Sequence, residues 1–341
     1  MSLLFQPCFV IAEAGVNHNG SLDMALELVD AAALAGSDAV KFQTFVTSEA
    51  LSAHAFKADY QMANSDDPAE DAISMISKLE LDEKAHLVLI ERCRQRGIRF
   101  MSTAFDLGSV DLLLKLGMEI FKIPSGEITN YPLLNKIGHL NKKLIVSTGM
   151  ATMEEIDDAI KLLTASGTKR DNITLLHCTT EYPAPFADIN LKAMLAMREQ
   201  FGLNVGYSDH SPGISIPVAA VALGASIIEK HLTLDNTLPG PDHKASLEPW
   251  QFKDMVTAIK NVEKALGDGC KRPMPSEIPN IPVARKSIVA ARAIKAGEIL
   301  SADNLAAKRP GTGMSPMLWP RLLGRAASRD YNQDDFINEL L

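Results

Sequence analysis

The chain reads as an α/β protein, a (β/α)8 barrel followed by a small C-terminal unit. Three observations predict this. Short apolar, β-rich runs alternate with helical patterns along most of the sequence, and such alternation implies parallel strands joined by right-handed crossovers. Eight such beats precede a break near Gly269, the number that closes a parallel sheet on itself. The length, 341 residues, exceeds one typical small domain and suits a barrel with an addition.

The strand runs are, in order, "CFVIAEAG", "DAVKFQT", "RFMSTA", "IFKIPSG", "LIVSTG", "TLLHCTT", "NVGYSDH" and "SIIEKHL". Helical segments such as "SLDMALELVDAAALAG" and "LDEKAHLVLIERCRQRG" lie between them, several ending on Gly, a helix C-terminal signal. "EPWQFKDMVTAIKNVEKALG" supplies the last helix. An open doubly wound sheet is the alternative, but it calls for a glycine-rich dinucleotide loop, and "GVNHNG" does not fit GxGxxG. Residues 45–80 separate the second strand from the helix near Leu81. A loop this long on the C-terminal side of a barrel strand is either a lid or substrate wall, or a decoration.

The barrel domain is expected to span 1–269. "CKRPMPSEIPNIPVAR" follows with four prolines in sixteen residues, so 270–284 reads as a semi-rigid linker. Residues 285–341 hold short β-like runs between Gly and Pro turns. So small a unit has a marginal core and is expected to dock on its own barrel or on a partner's.

Hydrophobic residues make up 46% and charged residues 22%, the balance of a soluble protein with a large core. A net charge of −8 argues against nucleic-acid binding and against anionic membrane, both of which need a basic face. It leaves room for an anionic substrate held by local cations. No apolar run reaches the ~18 residues that a membrane span requires. Cys8, Cys93, Cys178 and Cys270 lie far apart without a CxxC pair, as expected of reduced cytoplasmic thiols. The first residues lack a basic stretch and Glu13 interrupts their apolar run, so no signal peptide is expected.

Chemistry in such a barrel sits at the C-terminal ends of the strands. Those ends carry Glu13 with Asn17 and His18, then Lys41 and Gln43, Ser102 and Thr103, and Lys122 with Ser125 and Glu127. Ser147 and Thr148, Thr179 and Tyr182, Ser208 with Asp209 and His210, and Glu229, Lys230 and His231 complete the ring. Buried lysines are costly without anionic partners. Lys41 and Lys122 with Thr103, Ser125, Ser147 and Ser208 suit an oxyanion, two point charges among short hydroxyl donors. Two other readings stay open: structural ion pairs with Glu13 and Glu127, or a Schiff base on Lys122. His210 and His231, on adjacent strands, either share one cation with open positions or are hydrogen-bonded loop residues. His18 or His177 could be a bystander or a supporting residue, and Asp209 could orient His210 or cap the next helix.

With these residues assembled, the chain resembles the sialic acid synthase family: the N-acetylneuraminate synthases and their legionaminate and pseudaminate relatives. The matching motifs are "IAEAGVNHNGSL", "AVKFQT", "KIPSGE", "STGMAT", "HCTTEYPAPFADINL", "GYSDHSPG", "EKHLTLD", "PGPDHKASLEP" and "KRPGTGMSP", running in family order from residue 11 to 317. The resemblance implies a TIM barrel with a mostly β antifreeze-like (SAF) domain, and condensation of phosphoenolpyruvate with an N-acylated mannosamine-type sugar. It implies a divalent ion, manganese foremost with magnesium or cobalt as alternatives, on His210 and His231. Its phosphoenolpyruvate pocket matches Lys41, Thr103, Lys122, Ser125, Ser147 and Ser208, and its sugar site matches Gln43, Glu127, Tyr182, Asp242 and Arg309. It also implies a domain-swapped homodimer in which Arg309 reaches over the neighbour's barrel. Thr180 departs from the pattern, since some relatives carry an Asn there that helps bind phosphate.

For the chemistry, Glu13 is the expected base, with Lys41 and Lys122 stabilising the leaving phosphate. N-acetylmannosamine, giving N-acetylneuraminate, is the first expectation for the sugar. A 6-deoxy-2,4-diacetamido analogue, giving legionaminate or pseudaminate, is the alternative.

Overall fold

The structure, a computed structural model, describes residues 7–58, 62 and 70–338. The chain divides into two compact units, Met1–Gly267 and Asp268–Leu341. In the first, strands β1 (Phe9–Gly15), β2 (Ala39–Thr44), β3 (Arg99–Ala104), β4 (Ile120–Ile123), β5 (Lys143–Ser147), β6 (Ile173–His177), β7 (Asn204–Asp209) and β8 (Ile227–His231) close a barrel in sequence order. Every neighbouring pair is parallel, β8 returning to β1. The expected fold is therefore the observed one.

The crossover helices are α1 (Leu22–Ala35), α2 (Glu83–Arg96), α3 (Leu107–Lys115), α4 (Tyr131–His139), α5 (Met153–Ala165), α6 (Lys192–Phe201), α7 (Ser215–Ala222) and α8 (Pro249–Leu266). Local chemistry sets their ends. Ser21 and Asp82 accept the N-terminal amides of α1 and α2, and left-handed Gly36 and Gly97 close them. Thr152 and Glu155 form a reciprocal capping box on α5.

The two-residue period of the strands sorts the barrel interior into layers. Ile11, Ala39, Met101, Ile145 and Ile227 belong to a separate apolar cluster, with Ile120 packed against it. Two residues further along the same strands come Glu13, Lys41, Thr103, Ser147, Glu229 and Lys122, and all six line one cavity. Residues of the other parity, such as Val10, Val40, Phe42 and Phe121, join the large core against the helices. At Gly206 the interior has no room for a side chain. A Cβ there would lie 2.4 Å from Ile227 O and 2.6 Å from Leu176 Cδ2.

The loop after β2 carries two short helices, Thr47–Ala50 and Ala72–Ser77; residues 59–61 and 63–69 lie outside the described ones. In the second unit, β9 (Ser287–Ala290) pairs antiparallel with β10 (Leu305–Lys308) over a small core that includes Ile288, Leu300, Leu305 and Tyr331. The prolines of residues 270–284 do not simply break structure. Pro279 and Pro282 sit in the first turns of a 3-10 helix, Ile278–Asn280, and a helical turn, Ile281–Ala284, where a missing amide hydrogen costs nothing. All four cysteines are free thiols. No helix among the described residues is long and apolar enough to cross a membrane.

Candidate active site

A cavity of about 350 Å³ opens at the C-terminal ends of the barrel strands. Strand register assembles its floor: Glu13 lies opposite Lys41 on one side and His231 on the other, Thr103 opposite Lys122, and Ser208 opposite Glu229. Lys41 Nζ lies 2.5 Å from Glu13 Oε2 and 3.8 Å from Glu229 Oε2, and donates to Thr103 Oγ1 at 2.7 Å. Lys122 Nζ lies 3.2 Å from Glu229 Oε1, which also accepts from Ser208 Oγ at 2.9 Å. The counter-charges are thus Glu13 and Glu229. Glu127, the second partner in the ion-pair reading, instead sits in the turn after β4 and accepts from Asn130 Nδ2 at 2.5 Å.

The electrostatics follow from this packing. Burial raises Glu13 to about 7; Lys41 opposes that shift and the neighbouring Glu229 adds to it. Burial works on Glu229 too, but Lys122 and Lys41 outweigh it and hold that carboxylate at about 2. Burial likewise pulls Lys41 down, and the carboxylates Glu13 and Glu229 more than restore it. The floor is therefore a cationic pair steadied by Glu13 at Lys41 and by Glu229 between both lysines. Around it, Ser147 Oγ and Thr180 Oγ1 are buried with no hydrogen-bond partner among the described residues. Ser125 Oγ accepts from the Gly149 amide at 3.0 Å and lies 3.1 Å from Cys178 Sγ. Unfilled hydroxyls beside two ammonium groups make a receptor for an oxyanion.

Above the floor the rings of His210 and His231 stand 5.4 Å apart, centroid to centroid. His210 Nδ1 pairs with Thr179 O at 2.6 Å, which leaves Nε2 for other use. His231 Nδ1 is buried with no hydrogen-bond partner among the described residues, and Asp242 Oδ2 lies 3.7 Å away. Burial lowers His210 to about 4, against the pull of Thr179 O. Burial and His210 together hold His231 well below the ordinary histidine value. Two neutral imidazoles, one oriented through its far nitrogen by a backbone carbonyl, fit a divalent ion. Among the described residues no group of three or more His, Cys, Asp or Glu is arranged for a metal. The donor set therefore suits an open site that keeps positions for solvent and substrate rather than a closed structural one.

Tyr182 packs its ring on His210, centroids 4.0 Å apart. Near Gly15, whose φ of +52° favours glycine, three polar groups converge: a Cβ there would stand 3.3 to 3.5 Å from Glu13 Oε1, Gln43 Nε2 and Asp242 Oδ2. Asp242 itself is raised to about 6 by burial, with Lys41 opposing. Gln43, Glu127, Tyr182 and Asp242 all line the cavity. Arg309 is an exposed residue of the C-terminal unit whose Nε donates to Ala284 O at 3.1 Å.

Asp209 neither bonds His210 nor caps a helix. It pairs with Lys230 at 2.6 Å and accepts from the Ser211 amide and hydroxyl. His18 and His177 are not cavity residues: the Gly20 amide donates to His18 Nδ1, and His177 Nε2 pairs with Ile189 O. Sequence reasoning placed Glu229 in the ring of strand-end residues but gave it no role. Its signal was parity, since in "EKH" the first and third residues share the inward face. The loop after β2 supplies a wall, with Phe45, Leu51 and Ile76 reaching the cavity.

Residues 28–271 match the model of the NeuB family, and residues 285–338 match that of the SAF domain. The chain is 54% identical to the N,N'-diacetyllegionaminic acid synthase of Campylobacter jejuni, over 97% of this chain and 98% of that one. It is 45% identical to the enzyme of the same name from Legionella pneumophila, over 94% and 90%. Among solved structures, N-acetylneuraminic acid synthetase from Leptospira borgpetersenii, in complex with citrate, aligns with a TM-score of 0.69 at 36% identity, over 81% of this chain and 90% of that one. With the barrel, the charged floor and these likenesses in agreement, the chain belongs to the NeuB family of sialic acid synthases and carries a SAF domain at its C-terminal end.

Proposed function

We propose that this protein is an N,N'-diacetyllegionaminate synthase. It condenses phosphoenolpyruvate with a 6-deoxy-2,4-diacetamido mannose-type sugar and water, releasing phosphate. The names of the relatives at 54% and 45% identity support this sugar over N-acetylmannosamine, the first expectation from sequence. The observation that carries the reading is the floor itself, Lys41 and Lys122 among unfilled hydroxyls beneath two neutral histidines.

The arriving phosphate and carboxylate take up the ammonium groups of Lys41 and Lys122, with hydroxyls of Thr103, Ser125, Ser147 and Ser208 around them. Thr180 keeps one donor where some relatives have an amide. The methylene carbon of phosphoenolpyruvate bonds to the sugar's aldehyde carbon, whose oxygen takes a proton. The positive charge left at the second carbon accepts a water oxygen, and the water's proton passes to Glu13, whose pKa near neutrality suits that exchange. Breaking the bond from that carbon to the bridging oxygen then frees phosphate, its charge stabilised by both lysines, while the new hydroxyl becomes the ketone of the product and its proton leaves with the phosphate. Gln43, Glu127, Tyr182 and Asp242 hold the sugar, and Arg309, from the second copy of a domain-swapped homodimer, holds its N-acyl group. His210 and His231 would hold the divalent ion, manganese foremost; when bound it supplies Lewis-acid polarisation of the aldehyde.

The test pairs activity with metal binding. Chelator-treated protein should release no phosphate until manganese is restored, and one tight manganese site seen by electron paramagnetic resonance should vanish in His210→Ala. Full turnover in the chelated state would sink the metal assignment.

A further inference from the structure

We infer that the apolar wall on the β1–β3 side of the cavity selects a sugar whose end remote from the aldehyde is a methyl group rather than a hydroxymethyl group. This deepens the synthase reading and rests on it. The cavity is two-faced. Its floor and far side are charged and polar, whereas Val16, Phe45, Ala50, Leu51, Ile76 and Phe105 line the other side, and none of these six side chains carries a hydrogen-bonding group. They are not stray loop residues. Val16 and Phe45 form a small core with Leu79, on which Ala50, Ile76 and Phe105 pack. The rings of Phe45 and Phe105 meet edge to face at 6.2 Å.

The wall is pinned from behind. The Val46 amide donates to Asp106 Oδ2 at 2.9 Å, and the same aspartate caps α3 through the Ser109 amide at 2.7 Å. The Thr47 amide donates to Glu80 Oε1 at 2.8 Å. The Val46 and Thr47 amides are thereby committed, and the buried Thr47 hydroxyl is not among the cavity-lining residues. Against the six lining side chains a hydroxyl sheds water without gaining a partner from them. A methyl group placed there only loses contact with water.

The reacting end of the sugar must face the lysine floor and the histidines, on β2, β4, β7 and β8. In this pose its remote end meets the loops after β1, β2 and β3, and Glu127, Tyr182 and Asp242 hold the polar groups along its length. That end is a methyl in the 6-deoxy-2,4-diacetamido sugar and a hydroxymethyl in N-acetylmannosamine. An apolar pocket rejects an added hydroxyl only moderately, by about 10²-fold, so the preference should be finite and measurable.

The experiment compares kcat/KM for the 6-deoxy-2,4-diacetamido sugar and its 6-hydroxy counterpart, which differ only at that end, read as phosphate release, in the unaltered protein and in Ile76→Ser, Leu51→Ser and Ile76→Val. The unaltered protein should favour the 6-deoxy sugar by about 10- to 100-fold. Each serine variant should cut that preference about tenfold through the sugar KM, with the phosphoenolpyruvate KM unchanged, and Ile76→Val should keep it. Two separate serine positions protect the comparison if one of them melts early. Intact turnover of the 6-deoxy sugar with an unmoved preference overturns the wall's role alone. Failure of the unaltered protein to consume either sugar overturns the synthase reading and the inference with it.

Discussion

Asp209 and Lys230 pair at 2.6 Å with neither side chain exposed, and each immediately precedes one of the two cavity histidines. They are register partners on β7 and β8. Lys230 also donates to Ser211 O, and Asp209 accepts from the Ser211 amide. One ion pair therefore ties both strand ends to the turn that follows β7. Because side chains alternate along a strand, fixing this pair on the outer face fixes His210 and His231 on the inner one.

Lys230→Met should strand the Asp209 charge in the core and cost about 3–5 kcal/mol, measured by urea unfolding. The double variant Asp209→Leu/Lys230→Met should recover part of that loss. A cost below about 1 kcal/mol, the value of an exposed pair, would contradict the buried-clamp account.

Lys122→Met should lower turnover by about 10²–10³-fold, the usual effect of removing one preorganised charge from a developing anion. Steady-state phosphate release measures it. Unchanged turnover would remove Lys122 from the anion floor. Trapping of a pyruvate adduct by borohydride in the unaltered protein would move it to the Schiff-base chemistry left open by the sequence.

Gly206→Ala should destabilise the barrel by about 1–3 kcal/mol, because its Cβ would meet Ile227 O at 2.4 Å, in a backbone that cannot step aside. A melting temperature within one degree of the parent would show that the interior is looser than described.

Acid should loosen the fold as its buried histidines are forced to charge. Burial lowers His18 and His243 to about 4, and lowers His86, which contacts Thr44 Oγ1 and Asp82 O. The unfolded chain binds these protons near pH 6.5, and the folded one resists them. The histidines' contribution is therefore complete above about pH 6.5 and lost as pH falls toward 4, by about 2 kcal/mol for each of His18 and His243 at pH 5. The raised carboxyls of Glu13 and Asp242 work in the opposite direction, and His210 and His231, also lowered by burial, add to the loss. Thermal melts at pH 7.5 and 5 check this; a flat profile would contradict it.

The barrel was legible because its strand runs alternate with capped, amphipathic helices, a pattern that parallel closure reads directly. So was most of the floor: Lys41, Thr103, Lys122 and Ser208 could be picked out as polar residues ending apolar runs. The role of Glu229 was hidden by its neighbours, since "EKH" looks like one polar cluster until parity separates Lys230 outward from Glu229 and His231 inward. As an ion-pair partner Glu127 fails for the opposite reason: it follows β4 closely and lines the cavity, but a 3-10 turn brings it to Asn130. The long loop was legible as a candidate wall, but the residues that form it were not. Which residues of a long, aperiodic loop return to the cavity depends on tertiary bonds such as Val46 to Asp106, and no local pattern encodes them.

The most direct test of the synthase account uses phosphoenolpyruvate carrying 18O at its bridging oxygen, supplied with manganese and the 6-deoxy-2,4-diacetamido sugar. The account predicts released phosphate that retains the label, and a product acid whose mass is the sum of both substrates and water less phosphoric acid. Label left in the acid would contradict cleavage at the carbon–oxygen bond, and absence of labelled phosphate and of that acid would contradict the assigned function.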